Sequence, residues 1–173
     1  MANTYEAIAT VTVGSGGAAN IDFQSIPATY TDLVIKLSSR TDRVATNADC
    51  FIKFNNDASN LTLKKLYGAG GAASTGSSSS PAGGIGTSNG STNTTSAFAN
   101  TEIYIPNYTS SNNKSYSVDA VQESNDASAP IYATLIGGLW SNSSAINRVT
   151  LYIEESKNWV QYSTATLYGI KNS

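Results

Sequence analysis

Apolar and polar residues alternate one by one in run after run of this chain, and that period of two excludes most folds at the outset. In "TDLVIKLSSR" Leu33, Ile35 and Leu37 alternate with Val34, Lys36 and Ser38, and in "DCFIKF" Cys50, Ile52 and Phe54 do the same before an "NND" turn. Successive side chains of a strand point to opposite faces, so such runs predict half-buried β-strands. No stretch carries a 3.6-residue period bounded by caps, so no helix is predicted. "YEAIATVTV" predicts a strand with Tyr5, Ala7, Ala9, Val11 and Val13 on one face and Glu6, Thr10 and Thr12 on the other. "GSGGAAN" then supplies a turn and "IDF" a short strand. "LTLKKLYG" adds a further strand, whose Lys64 and Lys65 match the charges that protect an exposed sheet edge.

After Asn100 the runs "TEIYIPNY", "KSYSVDAVQES", "IYATLIGGLW", "INRVTLYIEE" and "VQYSTATLYGI" follow, separated by Asn, Ser, Gly or Asp. Short strands at this spacing predict an all-β, antiparallel β-sandwich. Two packed sheets with jelly-roll connections are the most economical version, with a barrel as the alternative topology. The segment 68–100 is almost free of apolar residues apart from Ile85 and Phe98, and is expected to be a long Gly/Ser-rich loop anchored at Ile85. A linker between two domains is the rival reading. Neither flank holds enough strands for a core of its own, so residues 1–173 are expected to form one domain.

Composition limits the chemistry. Only 13% of residues are charged and the net charge is -2, too weak a field to draw in nucleic acid or an acidic membrane. No apolar run approaches the roughly 20 residues of a transmembrane helix. "MANTYEAIATVTV" lacks the basic flank and continuous apolar stretch of a secretory signal, which implies synthesis in a cytoplasm. Cys50 is the only cysteine and is expected in the core, where a free thiol packs as a small hydrophobe. The chain has no histidine, which removes the usual base of a nucleophilic triad and the commonest zinc ligand.

The remaining candidates for chemistry are weak. Glu154 and Glu155 are adjacent, but neighbours on a strand point to opposite faces and cannot work as a carboxylate pair. "NNDAS" at 55–59 and "SNDAS" at 124–128 offer oxygen ligands without the spacing of an EF-hand loop, and read as turns. The glycine-rich stretches lack the Lys-Ser/Thr ending of a phosphate loop. No enzyme activity, metal or cofactor is therefore expected.

Trp140, Trp159 and Tyr162 are the residues able to stack on a sugar ring, or to fill the core or a subunit contact. In "NWVQYSTATLYGI", Ala165 and Leu167 alternate with Thr166 and Tyr168, which predicts a closing strand whose aromatics pack internally or against a neighbour. Charge is costly to bury at a subunit contact, whereas hydroxyls and amides can pair across one, so this composition suits dense packing of copies.

"TYEAIATVTVGSGGAANIDFQSIPATYTDLVIKLSSRTD", "EIYIPNYTSSNNKSYSVDAVQESN" and "NWVQYSTATLYGI" together resemble small virion structural proteins of tailed bacteriophages, especially phages of aquatic bacteria including cyanobacteria. The likeness spans most of the chain outside the Gly/Ser-rich segment, and Trp159 stands where an ending like "FVQYSTATLYGI" has phenylalanine. The resemblance implies a β-sandwich displayed on a particle. The first expectation is a capsid decoration or cement protein, a homotrimer on the outer surface of the shell that binds the major capsid protein or other virion proteins. The alternative is a tail-fibre or receptor-binding domain that reads host surface glycans.

Overall fold

The computed structural model describes residues 4–69, 72–79, 83–124 and 131–171. Among these, the strands are β1 (Tyr5–Thr12), β2 (Asn20–Phe23), β3 (Asp32–Ser39), β4 (Asn47–Phe54), β5 (Leu61–Ala69), β6 (Ala72–Ser79), β7 (Gly84–Asn89), β8 (Ala99–Ile105), β9 (Lys114–Gln122), β10 (Tyr132–Trp140), β11 (Val149–Ile153) and β12 (Thr164–Ile170). A single 3-10 turn, Glu154–Ser156, is the only helical element described. The strands form an eight-stranded sheet in the order β1-β12-β3-β8-β9-β10-β5-β6 and a four-stranded sheet in the order β2-β11-β4-β7. All ladders between these strands are antiparallel. The protein is thus an antiparallel β-sandwich with sheets of unequal width.

The alternation legible in the sequence builds the core. Along β9, Lys114, Tyr116, Val118, Ala120 and Gln122 are buried while the residues between them are exposed. Leu33, Ile35 and Leu37 of β3 and Cys50, Ile52 and Phe54 of β4 enter one cluster with Ala165 and Leu167 of β12. Phe54 meets the Tyr116 ring edge-on at 5.8 Å and the Trp140 ring at 5.5 Å, a geometry that aromatic quadrupoles favour. Cys50 is sealed in this cluster, and burial pushes its thiol pKa well up, so it is no nucleophile.

Three expectations about strands need correction. The segment 68–100 is not one long loop, because it contains β6 and β7. β6 needs no apolar side chains, since its backbone groups pair with β5 from Thr62↔Ser79 to Ala69↔Ala72. β7 is held by Ile85, which is fully buried as the anchor expected. Secondly, β5 is not an edge strand, because β6 lies outside it, so Lys64 and Lys65 protect no edge. Thirdly, β1 has a bulge between Ala7 and Ala9 that splits its predicted row. Ile8 and Val11 pack on the core, whereas Tyr5 meets Tyr168 on the opposite face of the sheet at 5.9 Å.

Two cations organise the connections through carbonyl oxygens. Arg40 donates to the carbonyls of Ser91, Asn93, Thr94 and Ala97 at 2.7–3.2 Å, pinning the turn after β7. Lys114, 1% exposed, donates to the carbonyls of Asn112, Ser144 and Asn142 at 2.6, 2.8 and 3.4 Å, and lies 5.9 Å from the Trp140 ring. Burial lowers its pKa, and the carbonyl cage offsets part of the cost of desolvating the ammonium. At the β4–β5 turn, Asp57 accepts hydrogen bonds from Ser59, Asn60 and the Trp140 indole. The "NNDAS" segment is therefore a turn whose carboxylate is occupied by its own neighbours.

Two outcomes follow. Gly138 faces Tyr116 so closely that an added Cβ would lie 2.1 Å from its ring, so Gly138→Ala is expected to destabilise by about 1–3 kcal/mol in urea unfolding. The donors around Asp57, the Ser59 hydroxyl first, hold its pKa well below the ordinary value of 3.8. A depressed pKa contributes stability that is fully present above 3.8 and is lost as pH falls further. The stability gap between wild type and Asp57→Asn, followed by urea unfolding at stepped pH, should be constant near neutrality and shrink in acid.

Candidate interaction surface

The strand registers place outward residues of the eight-stranded sheet in rows that cross it. One row runs Lys36, Glu102, Asp119, Leu135 and Leu66 through β3, β8, β9, β10 and β5. The next runs Val34, Tyr104, Ser117, Gly137 and Lys64 through the same strands. Ser117 and Gly137 are small, and a Cβ on Gly137 would meet nothing within 4 Å. They form the floor of an open depression of about 810 Å³, walled by Tyr104, Lys64, Leu66 and Leu135.

This face is apolar on one side and charged on the other. Leu66 is 50% exposed, Leu135 54%, Val121 45% and Leu139 38%, and Leu66 lies directly opposite Leu135 in the ladder. Half-exposed leucines paired on one sheet face are unusual for a surface that stays in water. On the other side, Lys36 bonds Glu102, an exposed pair that contributes little to stability. The neighbouring strand places Asp119 beside Glu102.

The inner face of the same strands is only partly covered. β7 is the edge of the smaller sheet, and the start of β7 with Gly83 covers Leu61 and Leu63 of β5, so the rest of β5, with β6, stands beside it as a wing. Between wing and edge lies a cleft of about 600 Å³ lined by Tyr67, Tyr132, Lys65, Arg43 and Glu154 among others. The Tyr67 and Tyr132 rings are 6.2 Å apart and the Lys65 ammonium sits 4.9 Å over Tyr67. Arg43 crosses to Glu155 at 2.9 Å and Glu154 at 3.3 Å. The two glutamates lie in the 3-10 turn, not on a strand as expected, and both engage the same guanidinium. That contact lowers the Glu155 pKa, the reverse of what a general acid needs. No cluster of metal-ligating side chains occurs among the described residues.

The three aromatics singled out in the sequence are not brought together on a surface. Trp140 and Trp159 are fully buried, so neither can stack on a sugar; Tyr162 is 69% exposed. Trp159 and Tyr162 also precede β12 rather than lying on it. Trp159 is a clasp: its backbone bridges Ala18 and Thr41, and its indole donates to the Leu151 carbonyl at 3.4 Å. Tyr162 has a φ of 72°, the left-handed region that a bulky side chain seldom adopts. Apart from Ser124, the "SNDAS" segment lies outside the described residues. Sequence reading missed the leucine face, although Leu66, Leu135 and Leu139 break the polar phase of their strands and could have marked it.

Comparison of the chain with protein-family models, with curated proteins and with solved structures finds no match to any of them.

Burial separates the aromatic clasp from the leucine face energetically. Trp159→Ala is expected to destabilise by about 3–5 kcal/mol. Leu135→Ser and Tyr162→Ala should stay within about 1 kcal/mol of wild type in the same urea titration.

Proposed function

We propose that this protein is a structural component of a tailed-phage virion, a capsid decoration or cement protein that acts by adhesion. It is made in the host cytoplasm and sits on the outer surface of the shell, bridging major capsid subunits. The observation that carries this reading is the leucine face: Leu66, Leu135, Val121 and Leu139 stand half-exposed on an ordered sheet. The likeness of the strand sequences to small virion proteins supplies the setting.

Adhesion of this kind needs no reacting group. A fully buried leucine contributes roughly 1.5–3 kcal/mol, and each of these has about half of that still to gain. Many copies bound to one shell add their contributions, because a ligand that binds only the intact assembly stabilises it by mass action. The low charge helps, since few ions must be desolvated when the surfaces meet.

A second reading has one observation in its favour. Tyr162 is exposed and held in a left-handed backbone, and strained, exposed residues concentrate at functional sites. A tail-fibre domain that stacks Tyr162 on a host glycan would use it. Reproducible binding on a glycan array, lost in Tyr162→Ala, would favour this reading.

For the cement reading, particles stripped of the protein should rupture at a lower temperature than complete ones. Adding back wild-type protein should restore the rupture temperature, whereas Leu66→Asp/Leu135→Asp should not. Equal thermal robustness of stripped and complete particles would reject it.

A further inference from the structure

The outer edge of a sheet offers unpaired N–H and C=O groups to any other strand, and proteins usually blunt such edges. β1 is blunted by its bulge and by the charge of Glu6. β2 has four residues and carries Asp22. β7 turns at Gly86, whose φ is 98°, and is tied at Asn89 by a bridge to Arg40. β6 has none of these devices. Its eight residues, AASTGSSS, include no charge and no proline, and its register with β5 runs without a bulge. Among the described residues, no strand lies beyond it.

We infer that β6 is a pairing edge, and that its occupant is β6 of a second copy of this chain, antiparallel about a two-fold axis. Electrostatics allow this. The nearest lysines, Lys64 and Lys65, are rooted on β5, three strand spacings or about 14 Å from the strand that carries their counterparts; the Lys65 stem leans over Gly76 of β6, but its ammonium sits over the Tyr67 ring of its own strand. A separation of that order exceeds the Debye length of about 8 Å at physiological ionic strength. Pairing with β1 or β2 of another copy would instead meet the bulge, Glu6 or Asp22.

The composition of the segment is also self-complementary. Every residue of AASTGSSS is small and uncharged, so any antiparallel register sets small neutral residues against each other. Continuity adds a third argument. Leu66 and Leu135 lie one and two strands inside the edge, so pairing would join the two leucine faces into one band across eight strands from each copy. A two-fold contact is self-limiting, because it consumes the β6 edge of both copies and leaves only the blunted β1 edges at the ends of the joined sheet.

This inference does not depend on the virion reading, and purified full-length protein tests it without particles. Sedimentation over a wide concentration range should show reversible dimers. Hydrogen exchange should show alternate β6 amides gaining protection as dimer forms, while β1 amides do not. Ala73→Lys/Thr75→Lys places two charges on exposed positions of β6 and should weaken dimerisation roughly tenfold or more, with an unchanged near-UV spectrum. Wild type that stays monomeric at every concentration overturns the inference, even if β6 pairs with a strand of some other protein. So does a dimer whose β6 amides exchange freely, or one that the double substitution leaves as tight as before. If the variant fails to fold, exchange on wild type alone still decides.

Discussion

Four strands packed on eight set the terms for the rest of this molecule. Strands lie about 4.8 Å apart, so the smaller sheet spans roughly half the width of the larger. The apolar layer between them has Trp140, Trp159 and Tyr108 as its largest members and reaches out to Leu61 and Leu63 of β5. The wing and the cleft beneath it follow from this mismatch in width, whereas the leucine row lies on the opposite, outward face of the large sheet.

Where the two sheets end, uncharged carbonyl groups do the work that ion pairs do in more highly charged proteins. Arg40 and Lys114 each gather several chain segments by donating to backbone oxygens. Carbonyls need no counter-charge, so a chain with few acids can still hold its connections with cations. Asp22 supplies the contrasting case, a carboxylate shared by Arg148, Thr150 and Gln24 at the edge of the small sheet.

The sandwich itself was legible in the sequence because each strand of the core keeps a strict two-residue period. Leu33, Ile35 and Leu37 fall on the core side as their spacing requires, and so do Ala165 and Leu167. What could not be read has physical causes. β6 is specified by backbone pairing alone, so its Ser, Thr, Gly and Ala side chains resemble a loop. The bulge in β1 depends on its fit to β12, a partner more than a hundred residues away in sequence, and a period read locally cannot reveal it. The division into eight and four strands is a property of pairing, which alternation does not encode. On the surface, the tryptophans that invite a ligand reading are spent on the core, and the leucines that remain outside look ordinary in sequence.

Cys50 carries a final implication. As the only thiol, sealed behind the small sheet, it offers no handle to peroxide, glutathione or a partner cysteine. With one thiol the chain can close no disulfide on itself, so its fold does not wait on the redox state of its surroundings.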